Sequence, residues 1–242
     1  MNDYRVESRG TARRREDDRV QPDISPARRV RPNARREQAE ATRELLLRTA
    51  ERLYAERGLA QVSNRQIVDA AGQANNSALT YHVGTRTDLV HAIARAHAGP
   101  IARRTRELVE AVRGSAEPRD HVASLVLPYT EHLATLGNPS WFARFTAQVS
   151  TDPAYADSVR SDPSLAPFYE EGLAAVWSHV PHLPAAEAAL RGQTARLAVI
   201  HTCAEQERAA ARTGMPADWP LIGESLTDAV TGLLLGPRHG AP

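Results

Sequence analysis

Apolar residues recur along most of the chain at intervals of three and four, which is the spacing of one face of an α-helix. Leu46, Ala50 and Leu53 follow this spacing and predict a first helix over residues 37–57. Beyond Pro118 the chain continues as a succession of apolar helical segments, without the period-two alternation of strands. The pattern therefore predicts an all-α fold.

Residues 63–82 predict two short helices joined by a turn. Ser63 and Gln66 have the spacing of a capping box at the start of the first helix. Gly72 falls where the chain must turn, because glycine tolerates a positive φ. The polar cluster at 75–77 offers side-chain oxygens to the free N–H groups of the second helix. A short helix that presents small polar and aromatic groups suits the major groove of DNA.

The order of these elements resembles the DNA-binding half of the TetR family of bacterial repressors. Over residues 38–93 the chain has an amphipathic helix, a glycine, a capped second helix, an Ala-Gly turn, a short recognition helix and a basic residue opening the next helix. Three positions depart from the family pattern: Thr80 and Val83 stand where aromatic residues are usual, and Arg86 replaces a common Lys. The resemblance implies the mode of DNA binding and leaves the operator sequence open.

The second short helix is expected to read bases, because Asn can bond adenine through two atoms and a Tyr ring can cover a thymine methyl group. Packing against the first helix is the alternative for Tyr81. Phosphate contacts position a protein without specifying sequence, and helix N-termini favour them. The residues expected to read bases are Asn76, Ser77, Thr80 and Tyr81, and those expected to hold the backbone are Asn64, Arg65, His82 and Arg86. The interface also takes in Asn75 and Thr42, although Thr42 is equally interpretable as a surface residue.

Charge is distributed unevenly although the net charge is only +1. Residues 1–36 carry eleven Arg and six acidic residues, whereas residues 37–90 carry six Arg and seven acidic residues. We expect residues 1–36 to be a disordered Arg-rich arm that follows phosphates or enters a minor groove. The alternative is a solvated tail. Phosphate contact is favoured because the DNA-binding body has no excess of positive charge.

Residues 85–238 are predicted to form a second helical domain after a DNA-binding domain of residues 37–84. Gly99-Pro100 is expected to kink or break its first helix. The last two helices repeat apolar residues at intervals of three and seven, which fits either one closed core or an interface. The resemblance implies that they pair with their copies in a four-helix dimer interface. The residues expected there are Leu190, Leu197, Ile200, Ala204, Ile222, Leu226, Ala229 and Leu233.

The resemblance also implies a small-molecule pocket between the middle helices. The residues expected to line it are Tyr129, Trp141, Phe145, Trp177 and His201, with core packing as the alternative for each. Such an aromatic lining with few polar groups suits a drug-sized, largely apolar ligand.

Several other classes of function have little support in the sequence. There is no Gly-rich phosphate loop and no strand-turn-helix elbow around a serine, so we expect no enzyme activity. His179 and His182 are separated by Pro181 and have no neighbouring cysteine or carboxylate cluster, so we expect no metal and no cofactor. The single Cys203 fits a reducing cytoplasm, and no apolar run is long enough for a membrane span.

These features predict a cytoplasmic, homodimeric transcriptional regulator, most simply a repressor that binds a palindromic operator and is released by a small molecule. A ligand would favour a conformation in which the helix after the recognition helix has shifted. The alternatives are a helical small-molecule-binding protein or enzyme with a non-functional helix-turn-helix, and an activator or architectural DNA binder without an effector.

Overall fold

The computed structural model of the chain describes residues 32–73, 75, 77–161 and 167–237. These residues form ten α-helices and no strand, which confirms the all-α fold class. None of the described helices is both long and apolar enough to cross a bilayer. In chain order the helices are α1 (Pro32–Arg57), α2 (Asn64–Ala70), α3 (Ala78–His82), α4 (Arg86–Ala111), α5 (Pro118–Thr135), α6 (Phe142–Thr151), α7 (Ala156–Arg160), α8 (Pro167–Ser178), α9 (Ala185–Thr213) and α10 (Trp219–Leu235).

The first three helices share a small apolar core with the start of α4. Leu46 and Leu53 of α1, Ile67 of α2, Leu79 of α3 and Leu89 of α4 are each at most 1% exposed. Leu46 and Leu53 lie on the apolar face of α1. The other three residues lie on the faces of α2, α3 and α4 that contact α1. Burial of these side chains stabilises the unit by roughly 1.5–3 kcal/mol each relative to exposure.

Helix α4 runs from Arg86 to Ala111 through Gly99 and Pro100, so it does not break where the sequence predicts. A proline inside a helix loses one N–H bond and crowds the preceding turn, at a cost of about 3 kcal/mol. Packing against α1, α5 and α8 along the length of α4 offsets this cost. Helix α1 begins at Pro32, earlier than residue 37, and ends at Arg57 as predicted.

Helix α5 lies at the centre of the second half and contacts α4, α8 and α10. Two glycines allow its neighbours to approach closely. A Cβ atom at Gly172 of α8 would overlap Cδ2 of Leu125, and one at Gly223 of α10 would lie 2.6 Å from Oγ1 of Thr130. A larger residue at either position would therefore force the facing side chain or the helix itself to shift.

A buried ion pair joins α6 to α9. The Glu207 side chain is 1% exposed, and its carboxylate accepts hydrogen bonds from Arg144 Nε at 3.0 Å and from Ser140 Oγ at 2.8 Å. The same carboxylate accepts from the backbone N–H groups of Ala143 at 3.2 Å and Arg144 at 2.9 Å. Because the first N–H groups of a helix have no acceptor inside it, Glu207 caps α6 from the neighbouring helix.

Candidate nucleic-acid interface and ligand cavity

Helices α2 and α3 form the predicted helix-turn-helix. The capping box is present: Ser63 N donates to Gln66 Oε1 at 2.7 Å, and Gln66 N donates to Ser63 Oγ at 3.3 Å. Gly72 follows α2 with φ +66°, the left-handed conformation that the turn requires. Asn75 Oδ1 accepts from the Ser77 N–H at 2.9 Å just before α3 begins. Short-range signals in the sequence thus determine the geometry of this motif.

Helix α3 presents a polar and aromatic face to solvent. Leu79 is completely buried, whereas Thr80 is exposed and Tyr81 is 84% exposed. The imidazole of His82 meets the Tyr81 ring edge-on, with centroids 4.9 Å apart. Tyr81 therefore does not pack against α1, and the alternative proposed for it is wrong. Asn76 lies outside the described residues.

The residues expected to hold phosphates differ in availability. Arg65 is on the surface, where its guanidinium lies 3.7 Å from the Asp69 carboxylate. Asn64 Oδ1 is buried and has no hydrogen-bond partner among the described residues. Thr42 is half-buried, and its hydroxyl donates to the Gln38 carbonyl at 2.8 Å. Arg65 is the one of these three whose polar group is both exposed and charged.

Arg86 makes contacts within the protein that the sequence did not indicate. Its guanidinium donates to the carbonyl oxygens of Val62, at 2.6 Å, and Leu59, and it lies over the Tyr54 ring at 5.1 Å. Two of the five N–H donors of Arg86 are thus engaged with backbone within the protein, and the phosphate contact expected for Arg86 stays a prediction for the others. Arg86 instead fastens the start of α4 to the connection between α1 and α2.

Other polar side chains join the DNA-binding helices to the second half of the chain. On α6, Gln148 donates from Nε2 to the Tyr54 carbonyl at 2.7 Å and accepts from the Leu59 N–H at 2.8 Å. These two groups flank the end of α1. Since one amide satisfies both a donor and an acceptor there, α6 and the end of α1 are held in a fixed relation.

A histidine relay makes a second connection of this kind. His97 of α4 lies with Nε2 3.1 Å from Glu51 Oε2 of α1 and with Nδ1 2.8 Å from His132 Nε2 of α5. The His97 ring also stacks on Phe142 of α6, with centroids 3.8 Å apart. Burial, and then the neighbouring His97 ring, lower the pKa of His132 to about 4. Four helices therefore meet around one imidazole.

A cavity of about 860 Å³ lies among α4, α5, α6, α8 and α9. That volume falls within the range of about 300–1,000 Å³ that holds drug-sized ligands. Most of its walls are apolar, with Ile101 from α4, Leu125 from α5, Val149 from α6 and Leu173 from α8 among them. The space is large enough for a small organic molecule and its lining favours an apolar one.

Some of the expected pocket residues line this cavity and others do not. Tyr129, Phe145 and Trp177 line it. Trp141 does not, because it precedes the first turn of α6, and His201 is exposed to solvent on α9. Phe142 takes the position that Trp141 was expected to fill. The spacing of aromatic residues identified the helices that form the walls but not which ring of the pair Trp141-Phe142 faces inward.

The residues expected in the dimer interface divide into two groups. Leu190 is 63% exposed and Ala229 is also exposed, so both are available to a second copy. Ala204 and Leu226 are 2% and 7% exposed within the single chain, so the prediction for these two is wrong. The remaining four are partly buried: Leu197, Ile200, Ile222 and Leu233. Helices α9 and α10 thus both complete the core of one chain and retain apolar surface.

Cys203 is fully buried, and burial together with the charge of Glu207 raises the pKa of its thiol to about 12. A thiol with so little thiolate is a poor nucleophile and a poor redox sensor. Within the described residues, no group of three or more His, Cys, Asp or Glu side chains is placed to hold a metal ion.

Comparison with known proteins gives distant likenesses only. No family model matches the sequence, and no curated protein matches it. Among solved structures, the TetR family transcriptional regulator PfmR from Thermus thermophilus is 18% identical with a TM-score of 0.47, over 80% of this chain and 99% of that one. A gamma-butyrolactone receptor, described as an ArpA-like protein, is 19% identical with a TM-score of 0.46, over 79% and 99%. The ketosteroid transcriptional regulator KstR2 of Mycobacterium tuberculosis is 19% identical with a TM-score of 0.43, over 78% and 93%.

Proposed function

We propose that this chain is a ligand-responsive transcriptional regulator of the TetR type, acting in the cytoplasm as a homodimeric repressor on a palindromic operator. The observation that carries the proposal is the position of α4. Its first turn packs under the helix-turn-helix, and its middle, from Ala94 to Thr105, forms a wall of the cavity. One rigid helix therefore contacts both the surface that would read DNA and the space that would hold a ligand.

The links between the two halves supply a mechanism for release. A ligand that displaces α4 or α6 pulls on the hydrogen bonds made by Arg86 and Gln148, both of which end on backbone atoms next to α1. The ligand shifts the equilibrium only by its differential affinity for the two arrangements. Movement of the helix-turn-helix in each copy would then take the two recognition helices away from the half-site spacing of about 34–36 Å.

The outer faces of α9 and α10 support a dimer. Leu190 and Leu221 are 63% and 62% exposed, one on each of these two adjacent helices. With the partly buried Leu197, Ile222 and Leu233 they leave apolar side chains on the outside of both helices, and a second copy that packs there would join them into one apolar interface. A two-fold dimer would present two recognition helices to the two halves of a palindrome.

Selection of bound duplexes from a random-sequence pool, at two salt concentrations, tests the DNA-binding part of the proposal. We expect a palindrome to be enriched and its affinity to fall steeply with salt, because phosphate contacts release counterions. Tyr81→Ala should weaken binding to the enriched sequence by roughly 1–3 kcal/mol and relax the preference at one position of each half-site.

Met215→Ala serves as the matched control, because Met215 is also an exposed apolar side chain, 69% accessible, but lies between α9 and α10. It should bind the selected duplex as the native protein does. If neither enrichment nor salt-dependent binding is observed, the DNA-binding proposal is wrong.

The cavity favours a second candidate, a small-molecule-binding protein whose helix-turn-helix is inert. That candidate requires ligand binding without any salt-dependent affinity for DNA. The same selection experiment therefore separates the two candidates, since only the regulator enriches a sequence.

A further inference from the structure

We infer that the ligand of the cavity is an uncharged, largely apolar molecule carrying one hydrogen-bonding oxygen, a ketone or an alcohol, which Tyr129 binds. This inference rests on the proposed function, in that it names the chemical class of the effector. It is carried by two separate observations, one on a buried hydroxyl group and one on the charges of the lining.

The first observation concerns Tyr129. Its side chain lines the cavity from α5, yet its hydroxyl oxygen is buried and makes no hydrogen bond to any described residue. Burial raises the pKa of this phenol well above its usual value, so it stays protonated and available as a donor. An unpaired buried donor costs free energy that a ligand oxygen would recover.

The neighbouring hydroxyl groups of the lining are already used. Thr146 Oγ1 donates to the Phe142 carbonyl at 2.8 Å, and Thr105 Oγ1 donates to the Ile101 carbonyl at 3.0 Å. Both threonines therefore offer acceptor lone pairs rather than a free proton. Thr146 also lies close enough to the Tyr129 hydroxyl to lower its pKa slightly, but it makes no hydrogen bond of ordinary length with it. A ligand oxygen would therefore compete only with Thr146 for the proton of Tyr129.

The second observation concerns charge. The charged residues among the described lining are two acids and two arginines, Asp157, Glu170, Arg160 and Arg196, so their formal charges cancel. Arg160 is bound to Asp157, and both side chains are more than half exposed. The apolar part of the cavity offers no unbalanced charge to a ligand. A buried carboxylate or ammonium group without a partner is costly, which disfavours charged ligands.

Three probes that share one rigid skeleton test the inference by equilibrium dialysis: fluorene, 9-fluorenone and fluorene-9-carboxylate. The native protein should bind 9-fluorenone about 5- to 10-fold more tightly than fluorene, as expected for one hydrogen bond to a buried donor. It should bind the carboxylate at least about tenfold more weakly than the ketone, because the anion loses hydration without gaining a partner.

Tyr129→Phe removes only the hydroxyl and should abolish the preference for the ketone while leaving fluorene binding unchanged. Tyr155→Phe is the matched control, since Tyr155 packs against the core without lining the cavity, and it should retain the preference. The inference is overturned if the native protein does not distinguish ketone from hydrocarbon, if Tyr129→Phe retains the preference, if the carboxylate binds best, or if no probe binds. DNA selection on the same protein separates this failure from failure of the proposed function: an enriched palindrome without a ketone preference overturns the ligand class alone.

Discussion

Replacing Glu207 with Gln should destabilise the protein strongly, because each oxygen of the carboxylate accepts two hydrogen bonds from buried donors. One oxygen accepts from Ser140 and Ala143, and the other accepts from the backbone and side chain of Arg144. An amide has one oxygen and one NH₂ group, so whichever way it is turned at least one buried N–H group of Ala143 or Arg144 faces a donor, because only the Ser140 hydroxyl can accept instead. In this variant Arg144 would also keep its charge without a charged partner, in a place where its side chain is only 9% exposed.

Breaking a buried ion pair by removing one partner costs about 3–5 kcal/mol. That is a large part of the roughly 5–15 kcal/mol by which a native domain is stable. Urea unfolding followed by circular dichroism at a fixed protein concentration measures the loss, the concentration being fixed because a dimer gains stability by mass action.

Two variants sharpen this test. Glu205→Gln is the control, because it removes an exposed carboxylate two residues away. The side chains of Glu205 and its partner Arg208 are 62% and 46% exposed, so this change should cost no more than about 1 kcal/mol. The double variant Glu207→Leu with Arg144→Met removes both charges and should recover the part of the loss that comes from the unpaired Arg144 charge, while the uncapped N–H groups of α6 leave it about 1–3 kcal/mol less stable than the native protein. The reasoning is refuted if Glu207→Gln costs less than about 1 kcal/mol, or if the double variant is no more stable than the single one.

Three further predictions concern other parts of the molecule. Gln148→Leu should lower the free energy of unfolding in urea by about 1–3 kcal/mol, because it leaves the Leu59 N–H and the Tyr54 carbonyl unpaired. Gln206→Leu, on the exposed face of α9, should lower it by less than about 0.5 kcal/mol. Equal losses would contradict a stabilising contact between Gln148 and the end of α1. The lowered pKa of His132 means that the unfolded chain binds a proton between pH 6.5 and about 4 that the folded chain does not, so stability should be complete above that window and fall as pH decreases through it. His132→Gln should flatten the fall in urea midpoint between pH 7 and pH 5, and an identical fall in both proteins would exclude this ring as its source. Removal of residues 1–31 should reduce the salt dependence of DNA binding by about one unit of slope for each lost phosphate contact and leave the preferred sequence unchanged, whereas an unaltered slope would show that the arm makes no phosphate contact.

The helix-turn-helix was predictable from the sequence because its determinants are local. Ser63 and Gln66 are three residues apart, and Gly72 needs only its own backbone conformation. Each of these signals acts within one or two turns of chain, where spacing maps directly onto geometry. The apolar residues repeated at intervals of three and seven likewise indicated two final helices, which the structure has as α9 and α10.

The links between the halves were not predictable, because their partners are far apart in the chain. Gln148 bonds a carbonyl 94 residues earlier, and His97 bonds a carboxylate 46 residues earlier. A polar residue on a helix has the same appearance in the sequence whether it faces solvent or a distant backbone group. The contacts of Arg86 could not be foreseen for the same reason: its position at a helix start fits phosphate binding, and only the fold shows that two of its donors bond the carbonyls of Leu59 and Val62.

The contact between Gly223 and Thr130 helps to set the distance between α10 and α5. That distance also determines the position of the outer face of α10. An added methyl group would meet Thr130 Oγ1 at 2.6 Å and Leu127 Cδ2 at 3.0 Å. Where these side chains cannot give way, α10 would move outward by up to about 1 Å to restore an ordinary separation. In the proposed dimer the outer face of α10 contacts α10 of the second copy. An outward shift of α10 would occur in both chains, so the separation of the two chains would increase by twice that shift. In that dimer, the absence of a side chain at Gly223 would therefore help to set the distance between the two helix-turn-helix units, although Gly223 belongs to neither of them.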